Sequence, residues 1–389
     1  MDFAFTSEQQ ELRRELRGYF ASLMTAEVLA EVEAGLLGGP ACLAAARRMG
    51  ADGWLGIGWP REYGGQGRGM IEQFVFYDEA WRALAPIPML TINAIAQTIM
   101  ALGSAEQKEF FLPRILRGEL HFAVGYTEPG AGTDLASLST RAVRDGDDWV
   151  IDGQKLYTSL AAHADYIWLA ARTNPDAPKH KGISIFAVPT SARGFAWSEL
   201  GTIVKSGTTT TFYDQVRVPH SALIGEVDKG WRLITNQLNY ERVAICPPGM
   251  VSQVYEDTCD FARETRLADG RRVIDQPWVR ANLARVRARI EALRLFNLRV
   301  ASRATLDPAD ASATKVYGTE TFCEVYRLLL EVFGEDGTIR QGSPEAKLRG
   351  RIERAYQGTL FLTFGGGTNE VQRDLIALFG LGMPRVPRH

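Results

Sequence analysis

Three places along the chain combine residue types and spacing that could do chemistry. The first is Glu241, within the segment WRLITNQLNYERVAIC at 231–246. Read as a helix, that segment puts Ile234, Leu238, Glu241 and Ile245 on one stripe, at steps of four, three and four. A carboxylate set into an apolar stripe is desolvated, which raises its pKa toward neutrality. A general base for a weakly acidic C–H needs that shift. A structural ion pair, with Arg242 or another arginine, is the other reading these residues allow. The second place is Tyr126-Thr127-Glu128-Pro129-Gly130-Ala131-Gly132-Thr133-Asp134, which follows the apolar run Phe122-Ala123-Val124. Its two glycines, with Thr127 and Thr133, could present N–H and hydroxyl donors to a cofactor oxygen. A plain inter-domain loop is the alternative. The third is Phe364 to Arg373, where Gly365, Gly366 and Gly367 break a helix and Thr368 can cap the next. Backbone N–H groups there could reach a ligand oxygen, or the segment could simply join two helices.

Other chemistries are disfavoured by what the chain lacks. Neither GxGxxG nor GxxxxGK[ST] occurs, so a Rossmann or P-loop nucleotide site is not expected. The five histidines (His121, His163, His180, His220, His389) include no pair at helical metal-ligand spacing, which argues against a zinc site or a histidine-based triad. Four scattered cysteines without a CxxC read as reduced thiols of a cytoplasmic protein. A net charge of −2 gives no electrostatic case for nucleic acid or an anionic membrane as partner. Asp2 and Glu8 stand where an export signal would be basic and then apolar, and no apolar run reaches the roughly 18 to 20 residues that span a bilayer. The chemistry is left to carboxylates, backbone and a bound cofactor.

The elements that must position these groups follow from pattern. At 389 residues the chain predicts two or three domains. To about residue 121 it reads helical, starting from a capping box at Thr6-Ser7-Glu8-Gln9 with Leu12, Leu16 and Phe20 on one face. Between 122 and 228 the runs YIWLAART, GISIFAVP and TTFYDQVRVP read as strands, and Asp145-Gly146 marks a hairpin. From 229 to 389 the helical period returns, with Leu283, Val286, Ile290, Leu293, Phe296 and Val300 on one stripe. The arginines of that helix are expected on a solvated or subunit-facing surface.

Over nearly its whole length the chain resembles the acyl-CoA dehydrogenase family. The resemblance rests on WPREYGGQG (59–67), FLPRILRGELHFAVGYTEPGAGTDLASL (111–138), DGQKLYTSLAAHADY (152–166), VRVP (216–219), IGEVDKGW (224–231), LNYERV (238–243) and GGGTNEVQR (365–373). It implies an α+β fold: an N-terminal all-α domain at 1–121, a middle β-barrel-like domain at 122–228 and a C-terminal four-helix bundle at 229–389. It also implies FAD-dependent α,β-dehydrogenation of an acyl-CoA thioester, with the flavin carrying the redox chemistry. Tyr126, Thr127, Gly132 and Thr133 would line the flavin and its diphosphate, and Thr368 and Glu370 would be C-terminal FAD contacts. Tyr157 and Ser159 stand where the family usually has Trp and Thr; aromatic face and hydroxyl are both kept. Many members carry the catalytic Glu just before the C-terminal Gly-Thr, where this chain has Gly366. A second branch carries it on the helix matched by LNYERV, which makes Glu241 the α-proton base. Arg242 and Gly366 are the expected substrate contacts, the latter through its backbone N–H. No metal is implied.

One departure implies a partner. Family homotetramers complete the ADP half of the FAD site with an Arg-x-(Thr/Gln)-Phe-Gly and a Gln-x-x-Gly-Gly-x-Gly segment from the neighbouring subunit. Here the first aligns with Arg266-Leu267-Ala268-Asp269-Gly270, and the second with Glu331-Val332-Phe333-Gly334-Glu335-Asp336-Gly337. Carboxylates facing a diphosphate are unfavourable. The expectation is therefore a catalytic subunit in an α2β2 heterotetramer with a homologous chain. Such assemblies resemble actinobacterial enzymes acting on steroid side-chain CoA esters, and an electron-transfer flavoprotein is the expected acceptor. The competing readings are a non-catalytic structural subunit and a relative with oxidase or monooxygenase flavin chemistry.

Overall fold

The computed structural model describes residues 4–384 apart from 204–206, 245 and 304–306; the side chains of 239–245 and of Arg349 also lie outside the described residues. In chain order the helices are α1 (Ser7–Leu23), α2 (Ala26–Ala34), α3 (Pro40–Ala51), α4 (Met70–Arg82), α5 (Ala96–Leu102) and α6 (Ala105–Leu116). The strands are β1 (Phe122–Gly125), β2 (Arg141–Asp145), β3 (Asp148–Lys155), β4 (Tyr166–Arg172), β5 (Ile183–Pro189), β6 (Phe195–Glu199), β7 (Thr209–Pro219) and β8 (Leu223–Ile224). Helices resume with α7 (Gly230–Ala244), α8 (Gly249–Glu264), α9 (Pro277–Ala301), α10 (Pro308–Phe333), α11 (Arg351–Leu360) and α12 (Asn369–Leu375). Among the described residues no helix is long and apolar enough to cross a membrane.

The chain forms two compact units: 23–68 with 86–241, and 1–22 with 69–85 and 242–389. In the first unit the strands run in the order β6-β7-β3-β2-β4-β5-β8, with β1 added parallel to β4. The hairpin expected near 145 is present: Asp145 pairs with Asp148, which makes Gly146-Asp147 the two turn residues. Along β3, Trp149 and Ile151 are buried while their neighbours are only half-buried, and a bulge falls between Ile151 and Gly153. β4 and β5 are buried at almost every position, so they read as continuous apolar runs rather than alternating ones. The edge strand β6 was not legible: Phe195 is half-buried and the four residues after it are exposed, so no buried face marks it. Helical residues are bonded directly to this sheet. The Thr91 hydroxyl accepts from the Phe122 N–H at 3.0 Å, and Gln107 Nε2 donates to the Ser221 and Leu223 carbonyls at 2.9 and 2.7 Å.

In the second unit α8, α9 and α10 enclose an apolar core that includes Val251, Val254, Leu283, Val286, Ile290, Leu293, Phe322 and Leu329. Five of the six α9 stripe residues are buried, and the sixth, Phe296, stacks on Tyr317 at 4.9 Å. The arginines of α9 are not simply solvated: Arg289 pairs with Glu324 at 2.5 Å and Arg299 with Asp310 at 3.2 Å, tying α9 to α10. The capping box at the start of α1 is formed, with Gln9 N–H donating to Thr6 Oγ1 at 3.2 Å and Thr6 N–H to Gln9 Oε1 at 3.1 Å. α1 is fixed to α4 by Arg13 and Arg17, whose guanidinium groups reach Glu79 at 2.6 and 2.8 Å. α4 also packs closely on α8: Gly249 N–H donates to Asp78 Oδ1 at 2.6 Å, and a Cβ at Gly249 would lie 1.9 Å from the Asp78 carbonyl.

Candidate functional site

The loop after β1 is shaped from beneath by a buried ion pair. Lys155 ends β3 with no exposed surface, and its ammonium donates to Glu128 at 2.8 Å and to the Tyr126 carbonyl at 3.1 Å. Glu128 also accepts from Ser139 N–H at 2.6 Å, Ser139 Oγ at 2.8 Å and Thr140 N–H at 2.8 Å. Burial alone would raise the Glu128 carboxyl, but the Lys155 ammonium and these donors reverse that and hold it at about 2. Burial pushes the Lys155 ammonium down to about 8, against the pull of Glu128. Both therefore stay ionised at neutral pH. Above the pair, Pro129-Gly130 forms a tight turn closed by reciprocal backbone bonds between Glu128 and Ala131 at 2.9 and 3.1 Å. The Thr127 carbonyl accepts from Leu156 N–H at 2.8 Å, which ties the loop to the end of β3.

The candidate ligand groups of this loop divide into two kinds. The Tyr126 phenol is turned inward, its oxygen accepting from Trp168 Nε1 at 3.0 Å, and Thr127 is half-buried. Gly132 and Thr133 are exposed, and a Cβ at Gly132 would meet nothing within 4 Å. Tyr157, after β3, is 57% exposed and has a φ of 57°, a conformation L-residues rarely adopt. An aromatic ring held outward at that cost marks a place where a ring-shaped ligand can stack. Ser159 is exposed two residues on, its hydroxyl donating to Thr208 Oγ1 at 3.2 Å. The loop's carboxylates are both engaged, Glu128 below and Asp134 with Lys179 at 2.6 Å. Exposed Gly132 and Thr133, an outward aromatic face and acids already paired with lysines fit a flavin with its diphosphate.

In the second unit the glycine turn leads into α12. Thr368 is the N-cap, its hydroxyl accepting from Val371 N–H at 3.2 Å, as the sequence suggested. Gly366 has a φ of 67° and is half-buried; Glu370 is exposed. Beneath the turn lies a polar stripe of α10 that sequence reasoning missed: Ser312, Lys315 and Thr319, all without exposed surface. Its signal was present, three polar residues at steps of three and four on a helix otherwise apolar on that side. Lys155 and Glu128 were likewise missed, although strand parity puts Lys155 on the same face as Trp149 and Ile151.

Glu241 falls within α7, but its side chain and that of Arg242 lie outside the described residues. So does Ile245, while Ile234 is buried and Leu238 half-buried. The acids that departed from the family pattern are exposed or paired locally. Asp269 is bound by Arg271 at 2.6 Å, Glu331 by Arg327 and by Asn282 Nδ2 at 2.8 Å, and Glu335 is exposed. Among the described residues no cluster of three metal-ligating side chains occurs.

Comparison with known proteins agrees with these features. Residues 6–119, 123–216 and 228–380 match the N-terminal, middle and C-terminal domain families of acyl-CoA dehydrogenases. Acyl-CoA dehydrogenase FadE26 of Mycobacterium tuberculosis is 54% identical over the full length of both chains. A chain of the ChsE4–ChsE5 complex from Mycobacterium tuberculosis superposes with a TM-score of 0.93 at 54% identity, covering 99% of this chain and 100% of that one. A chain of the Tcur3481–Tcur3483 steroid acyl-CoA dehydrogenase does so with a TM-score of 0.92 at 50% identity, covering 99% and 100%. With all three domain families in order and a relative at 54% identity from end to end, the chain belongs to the acyl-CoA dehydrogenase family, oxidoreductases acting on acyl-CoA.

Proposed function

We propose that this chain is the flavin- and base-bearing subunit of a heteromeric acyl-CoA dehydrogenase that desaturates a bulky acyl-CoA of the steroid side-chain type. The observation that carries the reading is the loop over the Lys155–Glu128 pair, with Gly132, Thr133 and the Tyr157 ring exposed and its acids paired, Glu128 with buried Lys155 and Asp134 with surface Lys179. Gly132, Thr133, Tyr157 and Ser159 would hold FAD, with Tyr126 and Thr127 forming the wall behind them. Thr368 and Glu370 would be C-terminal FAD contacts, as the family resemblance implies. FAD, when bound, would supply the two-electron acceptor for the β hydrogen. Glu241 removes the α proton as the Cα–Cβ double bond forms, and Arg242 helps to hold the substrate. The Gly366 N–H donates to the thioester oxygen, where negative charge grows as the proton leaves. The segments 1–121, 122–228 and 229–389 are its three functional parts.

The partner assignment rests on likeness to chains solved in two-protein complexes and on exposed acids at Asp269, Glu331 and Glu335. A homologous subunit would complete the ADP half of each FAD site, giving two FADs per α2β2 assembly in the cytoplasm. An electron-transfer flavoprotein would reoxidise it. Co-expression with a homologous subunit, followed by anaerobic titration with acyl-CoAs from butyryl to steroid-derived, tests both parts through the flavin spectrum. Glu241→Gln should keep the flavin bound and abolish its bleaching by substrate. Unchanged bleaching would move the base elsewhere, and an active homotetramer of this chain alone with four FADs would refute the partner. Rapid reoxidation by oxygen would instead indicate oxidase or monooxygenase chemistry.

A further inference from the structure

We infer that Lys315 is a positioning residue for the thioester carbonyl, acting through the glycine turn that follows α11; this rests on the function proposed above. The Lys315 side chain has no exposed surface, and its ammonium donates to the Thr363 carbonyl at 3.2 Å, the Gly367 carbonyl at 2.8 Å and Asn369 Oδ1 at 2.8 Å. Those acceptors flank Gly366 on both sides. Asn369 is fixed in turn, its Nδ2 donating to Thr319 Oγ1 at 3.1 Å and Glu320 Oε1 at 3.1 Å. Gln372 completes the floor, accepting from Ser312 Oγ at 2.9 Å while its Nε2 lies 2.8 Å from where a Cβ on Gly367 would be.

The turn needs such a floor. Three consecutive glycines have more backbone freedom to lose than any other residues, and Gly366 and Gly367 sit at φ of 67° and 96°. Among the described residues, the turn's own backbone bonds reach as far as Phe364 and Gly365, whose N–H groups donate to the Phe361 carbonyl at 3.1 and 2.7 Å. The Gly366 N–H takes no part in them. By drawing the carbonyls on either side inward, Lys315 fixes the peptide planes between them and so the direction of that N–H. A donor aimed in advance costs no reorganisation when charge develops on its acceptor.

The test compares a thioester with a ligand that lacks only the carbonyl. Cholanoyl-CoA and its thioether counterpart S-cholanyl-CoA, in which a methylene replaces the carbonyl, are titrated into the flavin-loaded protein, purified with the subunit it assembles with. The wild type should prefer the thioester. Lys315→Met should weaken thioester binding about fivefold to tenfold, the worth of one hydrogen bond, and leave thioether binding unchanged. Thr319→Val, which removes the support of Asn369 together with the hydroxyl's bond back to the Lys315 carbonyl, should show the same selective loss to a smaller degree and decides the matter if Lys315→Met does not fold. Thr321→Val serves as control, its buried hydroxyl on the same helix having no partner among the described residues. An equal loss for both ligands, or a retained thioester preference, would overturn the positioning role. A wild type that binds neither ligand, or both equally, would remove the proposed function as well.

Discussion

Replacing one member of the Lys155–Glu128 pair should destabilise the protein more than replacing both. The two side chains are 0% and 5% exposed and stand 2.8 Å apart, so neither charge can turn to water if its partner is lost. Removing one partner of a buried pair costs about 3–5 kcal/mol. In Lys155→Met the carboxylate keeps three donors, from Ser139 and Thr140, so the cost should fall near the lower end. In Glu128→Gln the ammonium keeps only the Tyr126 carbonyl and an amide oxygen, so the cost should fall near the upper end. The double variant leaves no buried charge and should cost about 1–2 kcal/mol, far below the sum of the singles. Urea unfolding followed by the fluorescence of the buried Trp149 and Trp168 measures this, with FAD retention on gel filtration as a second readout. The pH dependence carries an independent sign. Glu128 is held at about 2, so its contribution is complete above the ordinary value of 4.5 and is lost as pH falls through about 2. In Lys155→Met that loss should begin at higher pH. Costs that add within about 0.5 kcal/mol would show that the pair does not act as a unit and would refute the reasoning.

Two further outcomes follow from strained or buried groups. Tyr157→Gly should raise the stability of the flavin-free protein by about 1 kcal/mol, because glycine accepts the left-handed conformation, yet weaken FAD retention; thermal melts with and without FAD would move in opposite directions. Burial raises the Asp78 carboxyl to about 6, against Arg13, so the stability linked to its protonation is full below 3.8 and lost as pH rises through about 6. Asp78→Asn should therefore stabilise the protein above pH 6 by up to about 3 kcal/mol and have little effect below pH 4, as melts across that range would show.

Local signals were the legible ones. The Thr6–Gln9 capping box, the hairpin near 145 and the Thr368 cap each join residues a few positions apart, and each is formed. The motif loop was legible as a donor-rich segment, but not what holds it. Lys155 and Glu128 are 27 residues apart, and only strand pairing brings a lysine under a loop. Lys315 is 48 to 54 residues from its acceptors, so the polar stripe it forms with Ser312 and Thr319 could be read from helical spacing, but not what that stripe would face. β6 escaped because an exposed edge strand has no buried face to print a period on the sequence.

The second unit draws on three separate stretches of chain, and that bears on how the protein is born. Asp78 meets the Gly249 N–H across 171 residues, so α4 leaves the ribosome long before α8 exists. At 5–20 residues per second the wait is roughly ten to thirty seconds. Throughout it, two adjacent carboxylates and the face that will meet α8 have no C-terminal partner. Arg13 and Arg17, synthesised earlier and already on α1, can neutralise Glu79 in the nascent chain. The N-terminal helix thus supplies the charge partners of Glu79 well before the rest of the bundle is made.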